Sequence, residues 1–393
     1  MLRKCKKCLY TQNHPFHISF EENLCSGCFT HNEKYTINWK QKEKEFKHII
    51  KSTKKYNKTY DCIIPIIGDA EDYYIVEKVL QYGLNPLIVC VNDYFRTDIG
   101  WHNIHNLITI FDVDSLLYNP NLNTYKELIR TSLRKYDHIL LPFLSLHTSF
   151  PVHIAKQRNI PLIIWGQHQA IEQVGKFSHY DNVQMTKWSR KEHDLFGNDI
   201  KTFIGNGAQV LNKDLIYYHY PNITSLDKSN IKGIYLSNYF HWDPLKQNHS
   251  ILKYGFIPQH NNSSFDIYER AGSSVYYQIH DLLKLKRVGY RKITDHLSRE
   301  IRHNRINKNE AIEIENFYMQ SKVDVEGFFK WLGMSKSGIK WYIMHQLKGY
   351  EHLIGKQYDI DHSLLPTNIK ELLTKPNIPN NAFTLFQKGI EIE

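Results

Sequence analysis

The sequence predicts an α/β protein built on a doubly wound parallel sheet, with a small cysteine-bearing module before it and a helical region after it. Three observations predict this. Two Cys-x-x-Cys turns fall within the first 30 residues, and from Tyr60 onward apolar runs of strand length alternate with helical periodicities. Beyond about residue 265, helical patterns continue without intervening strands. The expected division is 1–56 for the cysteine module and a linking helix, 57–264 for the α/β domain, and 265–393 for the helical region.

The cysteine module comes first. Cys5-Lys-Lys-Cys8 and Cys25-Ser-Gly-Cys28 are separated by 16 residues. Four thiolates from two such turns close a tetrahedron around zinc at about 2.3 Å per bond. The linker, with Asn13, His14 and Pro15, is polar and turn-rich, so metal has to supply its order. Such binding contributes on the order of 10 kcal/mol to folding. With only protein ligands, Cys5, Cys8, Cys25 and Cys28 suit a closed structural Zn²⁺ site; reduced thiols or a redox pair are the alternative. Cys62 and Cys90 lie inside apolar runs and read as core.

Residues 38–56 read as a helix with Trp39, Phe46, Ile49 and Ile50 on one side and lysines elsewhere. Strands are expected at 60–67, 86–92, 137–142, 160–165 and 232–237, and helices near 72–83, 98–110, 120–135, 150–158 and 185–196. This alternation argues for a sheet covered on both faces. Loops carrying Asn92 and Asp93, His147 and Thr148, and Gly166 to His168 are expected to converge on one crevice at the carboxyl ends of the strands. The central stretch is Asp61 to Glu77. There Cys62–Ile67 reads as a buried strand, Gly68 as a turn, and Asp69 as the N-cap of a helix opening with Ala70, Glu71 and Asp72.

In the helical region, Asn307-Lys-Asn-Glu310 has capping-box spacing. Asp324 precedes a helix bearing Phe328, Phe329, Trp331 and Leu332. Pro366 and Thr367 open a short helix through Leu373, and the last fifteen residues read as a tail laid over the surface. Lys286, Arg287, Arg291, Lys292, Asp295, Ser298, Arg299, Arg302 and Arg305 crowd one segment. Asp295, Ser298 and Arg302 share a helix face. That face, with Arg305 beyond its end, reads either as a phosphate grip or as a solvated face with local ion pairs. The polar-aromatic loop Asn238, Tyr239, His241, Trp242 and Asp243 suits stacking on a sugar or base, or packing.

The totals are those of a globular protein: 393 residues, 41% hydrophobic and 23% charged. Six cysteines in a chain of this length do not make a disulfide scaffold. No run approaches about 20 apolar residues, so no membrane span is expected. MLRKCKKC lacks the apolar core of a secretory signal, and the expected compartment is the cytoplasm. A net charge of +10 favours anionic partners, although a lysine-rich composition produces the same figure. The basic residues are dispersed rather than interleaved with aromatics on one surface, which argues against nucleic acid.

Several stretches together resemble one bacterial family, the N-acetyl sugar amidotransferases of surface-glycan and nonulosonic-acid pathways, within the PP-loop ATP pyrophosphatase superfamily. They are the paired CxxC start, YDCIIPIIGDAED, GLNPLIVCVN with TDIGWHNIHNL, NIPLIIWG, YFHWDP, and KRVGYRKITDHLSREIRHNRINKNEAI. The resemblance covers the chain to about residue 315 and implies a PP-loop, HUP-like sheet. It implies ATP with Mg²⁺ adenylylating the amide oxygen of a nucleotide-linked N-acetyl sugar. Ammonia from a separate glutaminase, resembling that of histidine biosynthesis, then displaces AMP to leave an acetamidino group. It places catalysis at Glu71 and Asp72 and nucleotide contacts at Gly68, Asp69, Ala70, Asn92 and Gly166. Substrate or phosphate contacts fall to Lys286, Arg302 and Arg305.

The sequence departs from the family at the phosphate loop. The family reads Ser-Gly-Gly-x-Asp-Ser where this chain has Ile67, Gly68, Asp69, Ala70, Glu71 and Asp72. A carboxylate about 4 Å from a phosphate oxygen costs roughly 4 kcal/mol at an effective dielectric near 20. Three explanations stand open: nucleotide bound only through Mg²⁺, a different ligand, or a non-catalytic homologue with a scaffolding or regulatory role in the same pathway.

Overall fold

The computed structural model describes residues 2–53, 59–204, 210–222, 230–260, 263–356 and 363–374. Five parallel strands form the sheet: β3 (Cys62–Ile66), β4 (Pro86–Val91), β5 (Asp114–Tyr118), β6 (Leu162–Trp165) and β7 (Lys232–Tyr235). Their order is β5-β4-β3-β6-β7. The chain therefore builds outward from β3 in one direction, then returns to build outward in the other. The point where direction reverses lies between β3 and β6, which is where open α/β sheets leave a crevice for ligands.

Side chains alternate across β3 as the pleat requires. Cys62, Ile64 and Ile66 join a core with α3 (Ala70–Gln81), α4 (Asp98–Ile110) and Trp242. Ile63 points to the opposite core, with α5 (Leu122–Tyr136) and α6 (Leu141–Arg158). Both faces are thus covered, and β3, β4 and β6 are buried throughout.

Two expectations about the sheet fail for identifiable reasons. The strand expected at 137–142 is instead a turn leading into α6, which runs on through the helix expected at 150–158. An apolar run buried on all sides does not reveal its period, and Pro142 in the first helical turn was the signal to weigh. β5 went unread because it is an edge strand, exposed at Asp114, Ser115 and Leu117, with no apolar run of its own. The helix expected at 185–196 resolves into a short turn at Lys187–Ser189 and a π-helical turn at Arg190–Asp194.

The N-terminal module is a two-stranded hairpin, β1 (Phe20–Glu21) with β2 (Leu24–Cys25). Glu22 and Asn23 at its tip have φ of 47° and 66°, the paired positive values that tight two-residue hairpin turns need. α1 (Ser26–Glu33) follows, and α2 (Trp39–Thr53) leads toward the sheet. Beyond the sheet come helices Tyr277–Val288, Lys292–Arg302, Lys308–Met319, Glu326–Trp331, Lys336–Gln346 and Thr367–Leu373. The capping box at Asn307 forms in both directions, with Glu310 N–H donating to Asn307 at 3.0 Å and Asn307 N–H to Glu310 at 3.1 Å. The expected surface tail lies outside the described residues. No helix among the described residues is long and apolar enough to cross a membrane.

Candidate active site at the sheet switch point

The loop after β3 turns on Gly68 at φ +93°, where an added Cβ would meet the Ile104 side chain at 2.8 Å. Asp69 takes the N-cap position of α3 in extended conformation. The carboxylate that organises the loop is Asp72. Its Oδ2 accepts the backbone N–H groups of Ile67, Gly68 and Asp69 at 2.9, 2.7 and 3.0 Å. Converging N–H groups at a helix N-terminus form an anion site. Here the chain supplies the anion itself.

Glu71 reaches across the switch point. Its Oε1 accepts the Gln167 N–H at 2.8 Å, tying the loop after β3 to the loop after β6. A Cβ on Gly166 would lie 2.0 Å from that oxygen, so the glycine makes room for Glu71. Ala70 is fully buried in the first helical turn. Burial pushes Asp69 up to about 7, Glu71 to about 8 and Asp72 to about 6. Mutual repulsion among them adds to the rise for Asp69 and Glu71, while Arg270 opposes it for Asp69 and Asp72. The backbone donors oppose it for Asp72, but desolvation remains the largest effect.

These carboxylates line a cavity of about 300 Å³ whose walls come from segments between Phe16 and Arg302. One wall is charged. Arg299 donates to Asp266 at 2.8 Å, Lys292 pairs with Glu269 at 2.7 Å, and His296 Nε2 lies 2.6 Å from Glu269. Asp266, Glu269 and His296 are close enough together to share a cation, but Arg299 and Lys292 already neutralise the two carboxylates. Arg270 projects from a backbone at φ +62°, a region non-glycine residues occupy at a cost, with its guanidinium 5.1 Å from the Tyr277 ring centroid. The other wall is largely aromatic: Phe16 stacks on His193 and Phe196, with Trp165, His168 and Tyr235 beside them. Burial holds His168 down to about 3 and His193 to about 4, so both imidazoles are neutral near pH 7. Among the described residues, Asp69 Oδ1, His168 Nδ1, Arg270 Nε and Asn248 Oδ1 are buried atoms with no hydrogen-bond partner, and all four residues line this cavity.

The residues read from the sequence divide accordingly. Gly68, Asp69, Ala70, Glu71, Asp72 and Gly166 gather at the switch point. Asn92 does not face the cavity: its side chain donates to Asn119 at 2.8 Å and accepts the Tyr94 N–H at 2.9 Å. Lys286 pairs with Asp137 at 2.7 Å, away from the cavity. Arg305 is closed onto Asp243 and Glu300, at 2.5 and 2.6 Å. On the same basic segment, Lys292, Arg299 and, of the residues read from the sequence as phosphate contacts, Arg302 line the cavity. Of the loop 238–243, Trp242 is buried core and Asp243 holds Arg305, so neither stacks on a ligand. Arg270, Asp266 and Glu269 escaped the sequence reading; the acid-base cluster in FDIYER was the available signal.

The four cysteines form a compact buried cluster. Sγ separations are 3.8 Å for Cys5–Cys28 and 3.5 Å for Cys8–Cys25. These are near the edge of about 3.8 Å for a tetrahedron with 2.3 Å bonds. All four are free thiols, and Cys5 Sγ accepts the Cys8 and Cys25 N–H groups at 3.4 and 3.3 Å. Donor set and spacing fit zinc as a closed structural ligand cage. Arg302 lies against this cluster, its Nη2 at 3.9 Å from Cys8 Sγ and 3.8 Å from Cys25 Sγ.

Among solved structures, the NMN synthetase from Francisella tularensis shares 10% identity at a TM-score of 0.29, over 52% of this chain and 93% of that one. No curated protein matches the chain. Residues 262–361 match the family model described as LPS biosynthesis protein WbpG-like, C-terminal domain. This segment holds Asp266, Glu269, Arg270, Lys292 and Arg299, the charged wall of the cavity, so over that stretch the chain is similar to an LPS biosynthesis protein.

Proposed function

We propose that the chain acts in bacterial lipopolysaccharide or related surface-glycan assembly as an ATP-dependent amidotransferase. It converts an N-acetyl group of a nucleotide-linked sugar to acetamidino, with ammonia from a partner glutaminase. The reading keeps 1–56 as the zinc-bearing module, 57–264 as the nucleotide-site domain and 265–393 as the helical region that completes the cavity. The observation that carries it is the set of buried, unpartnered polar atoms around one cavity at the switch point, among them Asp69 Oδ1 and Arg270 Nε. Buried polar groups are rarely left unpaired, and leaving one so costs about 1–3 kcal/mol. Because the loop N–H groups are taken by Asp72, a triphosphate would be held by Arg270 with Mg²⁺ on Asp69 and Glu71, carboxylate oxygens being the ligands that ion prefers.

A second reading, a non-catalytic homologue serving as scaffold or regulator in the same pathway, is favoured by the Asp72 contacts themselves. Calorimetry of ATP with and without Mg²⁺, on wild type and Glu71→Ala, separates the two. The enzymatic reading expects Mg²⁺-dependent heat that the variant loses; no heat in either condition removes it. A mass-spectrometric assay of UDP- or CMP-linked acetamido sugars with ATP, glutamine and the glutaminase tests the reaction. The product is lighter by one mass unit, with oxygen replaced by NH.

A further inference from the structure

The helix face carrying Asp295, Ser298 and Arg302 packs on the cysteine module, with Asp295 and Arg302 also reaching the cavity. Asp295 accepts from the Tyr10 hydroxyl at 2.8 Å, and Ser298 Oγ accepts the Leu9 N–H at 3.4 Å. Arg302 is 2% exposed and lies over the Tyr10 ring at 5.1 Å. One of its amino groups is within 4 Å of two cysteine sulfurs; the other donates to the Gln173 carbonyl at 2.7 Å and the Glu172 carbonyl at 3.3 Å. Those two carbonyls end the turn 166–173, which forms one wall of the cavity.

Glycines let the pieces come this close. A Cβ on Gly27 would lie 2.5 Å from both Arg302 Nη2 and the Gln173 oxygen, and one on Gly175 would lie 2.3 Å from the Ser26 oxygen. Ser26 Oγ donates to the Val174 carbonyl at 2.6 Å. The cysteine module, Arg302 and the turn 166–175 therefore form one packed unit.

We propose that Arg302 is the counter-charge of the zinc-tetrathiolate centre and the positioning residue through which metal occupancy holds the 166–175 wall in place. A divalent zinc with four thiolates is a net dianion, and a buried charge is tolerated only when paired. Arg302 supplies that partner and uses the fixed fork of the guanidinium to hold two carbonyls at the same time. Without metal the fixed dianion is gone, Arg302 loses the charge it offsets, and the turn it holds loosens. This inference rests on the metal cluster and is independent of the reaction proposed above.

The test uses the full-length zinc-loaded protein. Zinc release to EDTA is followed with a chromogenic chelator, and amide hydrogen exchange is read in peptides covering 1–30, 166–175 and β4. Neighbours of metal ligands typically change metal affinity 10- to 100-fold. Arg302→Met is expected to release zinc at least about 10-fold faster. It is also expected to exchange faster at 166–175 while still zinc-loaded, with β4 unchanged. Stripping zinc from wild type should speed exchange at 166–175 as well as at 1–30. Arg302→Lys keeps the charge without the fork and should raise exchange at 166–175; it decides the matter if the methionine variant does not fold. Wild-type release from Arg302→Met, or 166–175 exchange unmoved both by stripping and by Arg302→Lys, overturns the proposal.

Discussion

Asp72→Asn isolates the titration of the carboxylate inside the loop. Asparagine keeps the shape and one accepting oxygen for the N–H groups of Ile67, Gly68 and Asp69, and removes the charge. Two effects oppose each other at Asp72: three backbone donors favour the ionised form, and burial disfavours it. Burial wins, lifting the group from its ordinary 3.8 to about 6. A carboxyl that holds its proton to higher pH in the folded chain than in the unfolded chain contributes stability that is complete below about 4. That contribution is lost as pH rises through about 6. A gap of roughly two units at about 1.36 kcal/mol each makes about 3 kcal/mol, and at 6% exposure the group has little solvent to screen it. The assay is urea unfolding of wild type and Asp72→Asn at intervals from pH 4 to 8. Wild type should lose about 3 kcal/mol relative to the variant across that range. Parallel curves refute the reasoning. A wild type that gains on the variant as pH rises would show that the N–H groups, and not burial, dominate.

Cys25→Ser should lose bound zinc and, with it, cooperative folding of the N-terminal module, as read by metal content and by hydrogen exchange over 1–30. Arg305→Ala leaves Asp243 without its partner and removes one of two arginines from buried Glu300. It should cost about 3–5 kcal/mol in chemical denaturation and leave Mg·ATP affinity unchanged. Lys286→Ala breaks only a partly exposed pair with Asp137 and should cost under about 1 kcal/mol, again with no change in ligand binding. Gly166→Ala forces Glu71 from the Gln167 N–H, so its calorimetric ATP response should follow that of Glu71→Ala.

What could be read ahead of the structure follows from where the information resides. β3, β4, β6 and β7 were legible because buried strands need apolar, β-branched runs that few other elements use. The loop after β3 was legible because a glycine followed by helix-capping carboxylates marks a strand-to-helix turn by itself. The basic segment was legible as a whole but not residue by residue. Lys292, Arg299 and Arg302 line the cavity, whereas Lys286 and Arg305 do not, and helical spacing cannot say which neighbour packs against which face. Arg270 is a different case. The acid-base cluster in FDIYER marks the residue as a candidate, but its place depends on the segment after residue 263 folding back over the switch point with Arg270 in a left-handed backbone conformation, which the cluster does not reveal.

The loop's central question is whether Asp72 stands in for a phosphate or leaves room for one. Three N–H groups meeting on one oxygen at 2.7–3.0 Å can hold a single anion at a time. A phosphate placed beside the retained carboxylate would add repulsion of roughly 4 kcal/mol at 4 Å, enough to weaken binding about a thousandfold. Asp72→Ser removes the internal anion and frees the three N–H groups for another acceptor. Pyrophosphate with Mg²⁺ should therefore bind Asp72→Ser measurably by calorimetry and wild type far more weakly. If wild type binds pyrophosphate as tightly as the variant, the phosphate sits elsewhere in the cavity, on Arg270 and its neighbours, and the occupied cradle is no obstacle to the enzymatic reading. If neither binds, the cavity offers no phosphate site, and the scaffold reading gains the ground that the chemistry gives up.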